Sequence, residues 1–133
     1  DDDAVALQQE FPKLPFHYVK GNNDYRVDTP SQKLVRLGGK ALLLTHGHKQ
    51  RVYWNYDTIS YWAEEQGADV VLFGHTHMPL WEAGGRVALF NPGSISLPRG
   101  GTLPTFGILT MEDGRIEGAI MEYWNKEHFK RIN

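Results

Sequence analysis

Two histidines one residue apart, His75 and His77, follow the apolar run Val70-Val71-Leu72-Phe73. A neutral imidazole is a borderline base that binds first-row divalent metals. In an extended chain, residues i and i+2 face the same side. The spacing therefore predicts two rings reaching one ion, or one each of two ions about 3.5–4 Å apart. Gly74, just before them, carries no Cβ and lets backbone or ligand come close. One such pair is a weak signal, but Thr45-His46-Gly47-His48 repeats it after Ala41-Leu42-Leu43-Leu44. A third stretch, Gly21-Asn22-Asn23-Asp24, offers the amide oxygen of Asn22. Taken alone, that stretch reads first as a tight turn.

Composition narrows the chemistry. The 133 residues contain no cysteine, which removes disulfides and thiolate zinc sites and leaves His, Asn and carboxylate as ligands. Net charge is −2, and the only block of like charge is Asp1-Asp2-Asp3, so a nucleic-acid-coating surface is not expected. The apolar runs reach four residues, far short of a bilayer span. With no signal peptide visible, a cytoplasmic location is the default expectation, although the chain does not begin with Met.

The elements that must carry these residues are legible from pattern. Residues 1–10 read as a short helix with Asp3 as N-cap, and Pro12 and Pro15 then break the chain. Phe16 to Val19 reads as a strand ending at the Gly21 turn. Gln32–Leu37 and Lys40–Thr45 flank Gly38-Gly39 as a hairpin. Val52 to Gln66 reads as a helix with the stripe Val52, Tyr56, Ile59 and Ala63, widened by Trp62. Strand, helix and the next strand, Asp69 to Phe73, make a crossover that predicts parallel pairing. Both histidine pairs then fall at the carboxyl ends of parallel strands, where open α/β sheets place their sites.

Two more hairpins follow, Leu80–Glu82 with Arg86–Phe90 and Thr105–Met111 with Arg115–Tyr123. The tail beyond reads as a solvated terminus. His17 and His128 read as structural or surface groups. Tyr53, Trp54 and Tyr61 lie off the helical stripe and read first as packing under a loop, with an oligomer contact or substrate rim as the alternative. Neither repeats nor a linker divide residues 1–133, so a single domain is expected.

In order, Gly-Asn-x-Asp, Thr-His-Gly-His and Gly-His-x-His resemble the signature of the calcineurin-like metallophosphoesterases. The set is most similar to the small YfcE-type phosphodiesterases, and Asn91-Pro92-Gly93-Ser94 with Leu97-Pro98-Arg99 fits that subgroup. The resemblance implies an α/β sandwich of mixed sheets flanked by helices. It implies two divalent ions, Mn²⁺ first and Ni²⁺, Zn²⁺, Fe²⁺ or Co²⁺ as alternatives. It also implies hydrolysis of a small phosphodiester or phosphomonoester by a hydroxide bridging the ions. Asn22, His46 and His75 would hold the second ion and His77 the first. Asp24 would support its loop, while Asn23 and His48 are candidates for substrate contact.

Two departures qualify that picture. Many relatives carry His where Asn23 stands, and an amide cannot transfer a proton near pH 7. The family's opening Asp-x-His and Gly-Asp motifs are also not in these residues. The resemblance thus implies a missing strand–helix–strand unit, on the order of 30 residues. Without its carboxylates, one ion and little hydrolysis are expected. A non-catalytic metal-binding or scaffold member of the fold, such as the retromer's vacuolar sorting subunit, is the alternative.

Overall fold

Strand β2 (Lys40–Thr45) carries apolar side chains on both faces, and such a strand must be covered on both sides. The computed structural model, which describes residues 2–24 and 28–133, meets that demand with three layers. β2 lies inside a five-stranded sheet with β1 (Gln32–Leu37), β3 (Val70–Leu72), β4 (Leu80–Glu82) and β5 (Ala88–Asn91). The strand order is β1-β2-β3-β5-β4. β2, β3 and β5 run parallel at the centre, while β1 and β4 close the edges antiparallel.

Register sorts the side chains by face. Leu42, Val70 and Ala88 are aligned across the parallel strands, as are Leu43, Val71 and Leu89 one residue on. Side chains alternate along a strand, so the two rows face opposite layers. The Leu43 row packs with Ile59 and Ala63 of α2 (Asp57–Glu65) and with Val52 and Phe73. The Leu42 row and Phe90 pack against Ile120, Leu109, Met111 and Ile116 of a second sheet. That sheet is β6 (Thr105–Glu112), β7 (Arg115–Asn125) and β8 (His128–Arg131), all antiparallel. Two glycines let the sheets touch. A Cβ on Gly118 would lie 2.4 Å from the Trp81 ring, and one on Gly107 would lie 2.6 Å from Phe90. The α/β sandwich is thus the observed architecture.

Four expectations need correction. Phe16 to Val19 forms no strand; it runs as irregular chain after two prolines, tied at Lys20 N–H to Pro30 O (2.9 Å). The helix begins at Asp57, not Val52. Arg51 is left-handed (φ 54°), and the Asn55 amide oxygen accepts the Asp57 N–H at 2.9 Å, a local bond that competes with helix. The expected stripe survives even so: Val52, Ile59 and Ala63 are buried, with Tyr56 and Trp62 packed on them. The tail supplies β8, and Asn133 accepts from Ile120 N–H (2.8 Å) and donates to Gly118 O (2.9 Å). Finally, α1 spans Asp2–Glu10, which puts Asp3 inside its first turn instead of at the cap.

Candidate metal centre

Parallel pairing of β2 and β3 sets their exits side by side: Gly74 N–H donates to His46 O at 2.9 Å. Beyond β2 the chain turns sharply at Gly47 (φ 104°) into one 3₁₀ turn, His48–Gln50. A side chain at Gly47 would be strained by that φ and would press Val52 at 3.1 Å. The turn folds His48 back on His46, with their Nδ1 atoms 3.0 Å apart. One ring must donate there and the other accept. Thr45 Oγ1 donates to Gln50 Oε1 at 3.3 Å beneath the turn.

The exit of β3 differs from the expected extended chain. His75 (φ 69°) and His77 (φ 58°) both adopt the left-handed region, which is uncommon and costly for residues with a Cβ. Alternation along a strand therefore does not orient these two rings. Braces from outside do. Buried Asn91, from the neighbouring β5, donates to Gly74 O (3.2 Å) and to Thr76 Oγ1 (3.0 Å) and accepts from Gly93 N–H (2.9 Å). His77 Nδ1 donates to Leu97 O at 2.7 Å, which leaves Nε2 as its lone-pair nitrogen. Arg99 N–H donates to His77 O at 3.0 Å.

Tyr53 stands over His75, ring against ring at 4.7 Å, and its hydroxyl donates to His75 O at 3.0 Å. The Arg99 guanidinium donates in turn to the Tyr53 oxygen. The His46 and His75 rings lie 4.9 Å apart, edge to face. Gly21 permits the Asn22 turn to approach them, since a Cβ there would come within 3.0 Å of His46 Nε2. The turn itself is real: Asp24 Oδ2 accepts the Gly21 N–H at 2.7 Å.

These residues line one cleft of about 400 Å³, which gathers Asn22, Asn23, His46, His75, His77 and Arg99. His48 is not in its lining and meets His46 from behind. His17 and His128 lie elsewhere, both exposed. A depression of about 470 Å³ near Glu64, Glu82 and Arg86 holds no histidine; its Arg86–Glu64 pair, 2.9 Å, is an exposed ion pair.

Burial pushes the His46 imidazole down to about 4, and repulsion from His75 and His48 adds to it. Burial also lowers His75, helped by His48, His77 and Arg99, and lowers His48, helped by Lys49. These three rings are thus neutral at pH 7, as metal ligation requires. Two neutral imidazoles and the Asn22 amide oxygen in one cleft suit a single first-row divalent ion. For a second ion the fit fails. Among the described residues, no three His or carboxylate side chains converge closely enough to hold an ion by themselves. Among the described residues lining the cleft, the one carboxylate is Asp24, and its Oδ2 accepts the Gly21 N–H.

Of the residues that build the site, the sequence marks Tyr53 only through the alternative of a substrate rim, Asn91 and Arg99 only within the subgroup string, and Thr76 not at all. The string Asn91-Pro92-Gly93-Ser94 with Leu97-Pro98-Arg99 was the available signal.

With that geometry in view, comparison with known proteins is direct. Residues 2–114 match the calcineurin-like phosphoesterase superfamily domain. The probable metallophosphoesterase YsnB of Bacillus subtilis is 39% identical over 108 residues, covering 80% of this chain and 64% of that protein. Phosphodiesterase YfcE of Escherichia coli is 37% identical over 99 residues, covering 68% and 50%. A predicted phosphoesterase structure from Streptococcus pneumoniae superposes with TM-score 0.73 at 30% identity, covering 86% and 68%. Entamoeba histolytica Vps29, solved with zinc, shares the fold at TM-score 0.72 and 21% identity, covering 87% and 67%. The chain belongs to the calcineurin-like phosphoesterase superfamily. It spans 50–64% of the length of these two curated relatives.

Proposed function

We propose that this chain carries much of the active site of a metal-dependent phosphodiesterase acting on small phosphodiesters or phosphomonoesters. The observation that carries the reading is the convergence in one cleft of Asn22, from its turn, with His46 and His75, from the ends of adjacent parallel strands, the two imidazoles held neutral. In this reading those three residues hold one divalent ion, and His77 contributes to a second. Mn²⁺ is the preferred ion, with Ni²⁺, Zn²⁺, Fe²⁺ and Co²⁺ as alternatives. When bound, such ions supply charge neutralisation at a phosphoryl oxygen and acidify water for attack on phosphorus.

The chain's own residues would do the rest. His46 stays deprotonated because it is half-buried beside two imidazoles. Leu97 O holds His77 in the tautomer that presents Nε2. Asn23 lines the cleft and can hydrogen-bond a substrate oxygen, but it cannot protonate a leaving alkoxide. That requirement favours substrates whose leaving group is a good one. The proposal includes residues 1–133 acting as one unit, a cytoplasmic location and a homo-oligomer as an open alternative to a monomer. No described helix is long and apolar enough to cross a membrane.

The test is His75→Ala in the native protein, assayed with Mn²⁺ on bis(4-nitrophenyl) phosphate. Turnover should fall by more than the roughly 10–100-fold that losing an outer-shell partner costs. Wild-type turnover from the variant would overturn the assignment.

A further inference from the structure

We propose that Arg99 is a substrate-binding residue whose guanidinium takes a phosphoryl oxygen of the phosphoester in the cleft. The inference rests on the phosphoesterase reading of that cleft and names a contact which the metal ligands alone do not provide. Among the described residues lining the cleft, Arg99 is the one Lys or Arg side chain. It is exposed, and no carboxylate among the described residues lies within ion-pair distance of it. A positive group in this cleft, with no carboxylate of the described residues paired to it, is arranged for an anion from outside.

The side chain is also held in position before any ligand arrives. Arg99 N–H donates to His77 O (3.0 Å), and Thr102 Oγ1 donates to Arg99 O (3.1 Å). At the far end, Nη1 donates to the Tyr53 oxygen, and Tyr53 donates to His75 O (3.0 Å). Arginine has five N–H donors, and one of them is spent on this neutral acceptor. The remaining donors suit the fork geometry of a tetrahedral phosphoryl group. Fixing both ends in advance lowers the ordering cost of binding. It also gives Arg99 a second duty, since the same contact holds Tyr53 over His75. A purely structural brace is therefore the competing account, and the two accounts separate by experiment.

The native protein and its Arg99→Ala, Arg99→Lys and Tyr53→Phe variants are titrated with inorganic phosphate by calorimetry, with and without Mn²⁺. Each is also titrated with Mn²⁺ alone, and kcat and KM are measured on bis(4-nitrophenyl) phosphate. Arg99→Ala should weaken phosphate binding by about 10–100-fold, the value of hydrogen bonds to a charged group. KM should rise in parallel, by a larger factor than either kcat or Mn²⁺ affinity falls. Arg99→Lys should recover part of the loss, because it keeps the charge without the fork. Tyr53→Phe should cost less than Arg99→Ala.

Equal phosphate binding by wild type and Arg99→Ala overturns the proposal, as does no phosphate binding by wild type in either metal state. Loss of Mn²⁺ affinity to the same degree in Arg99→Ala and Tyr53→Phe, with phosphate binding unmoved, establishes the brace and overturns it too. Arg99-dependent phosphate binding in a protein with no turnover would keep the anion site and discard the phosphodiesterase reading.

Discussion

The exits of β2 and β3 carry the same His-x-His pattern and reach the same cleft, yet they solve the backbone problem in opposite ways. After β2 the tight turn falls on Gly47, which has no Cβ to clash, so His46 and His48 need little outside help. After β3 the left-handed conformations fall on His75 and His77 themselves. Such strain persists only where the surroundings over-determine it. Here Asn91, Leu97, Tyr53 and Arg99 do so. One ligand loop is shaped from within by a glycine, and the other from without by packing.

The contrast can be broken most severely at Asn91. Asn91→Ala removes three hydrogen bonds from a residue 0% exposed and leaves buried partners unmatched. It should cost about 3 kcal/mol in urea unfolding and weaken Mn²⁺ binding as well. A cost below about 1 kcal/mol would mean the β3 exit holds its shape unaided.

Gly47→Ala tests the other exit. The φ of 104° and the 3.1 Å approach to Val52 predict a cost of about 1–2 kcal/mol. An unchanged urea midpoint would show that this turn relaxes freely.

A pH titration of the metal-free protein should sharpen the comparison with a smaller effect, because His46 is only half-buried. Its imidazole lies near 4 when folded, against about 6.5 unfolded, so the unfolded chain binds more protons between those values. The stabilisation is present above about pH 6.5 and is lost as pH falls toward 4. His46→Gln should flatten the melting-temperature profile across that window, and a profile as steep as wild type would refute the assignment.

Tyr53→Phe is the gentlest break. Losing two exposed hydrogen bonds, one to His75 O and one from Arg99, should cost about 1 kcal/mol in unfolding while leaving the His46–His48 contact intact by NMR. Loss of the His48 resonances' dispersion would mean that the two exits are not independent.

Apolar pattern and turn residues by themselves determined most of the scaffold: both sheets' hairpins, the parallel β2–β3 pair, the buried Ile59–Ala63 stripe and the histidines at strand ends. Those features are local, because burial selects periodicity and glycine selects turns, so a single chain segment carries the whole instruction. The positions of Asn22, His46, His75 and His77 were legible for the same reason, each sitting just past an apolar run or at a turn, and the four line one cleft. What only the tertiary structure decided is how these residues are held. The helix start at Asp57 turned on the hydrogen bond its N–H donates to Asn55, and β8 formed because β7 offered an open edge. The left-handed histidines depend on Asn91, 16 and 14 residues downstream of them, and on the Leu97–Arg99 segment beyond. Periodicity cannot foresee such contacts, since they link residues far apart in sequence and exist only once β5 lies beside β3.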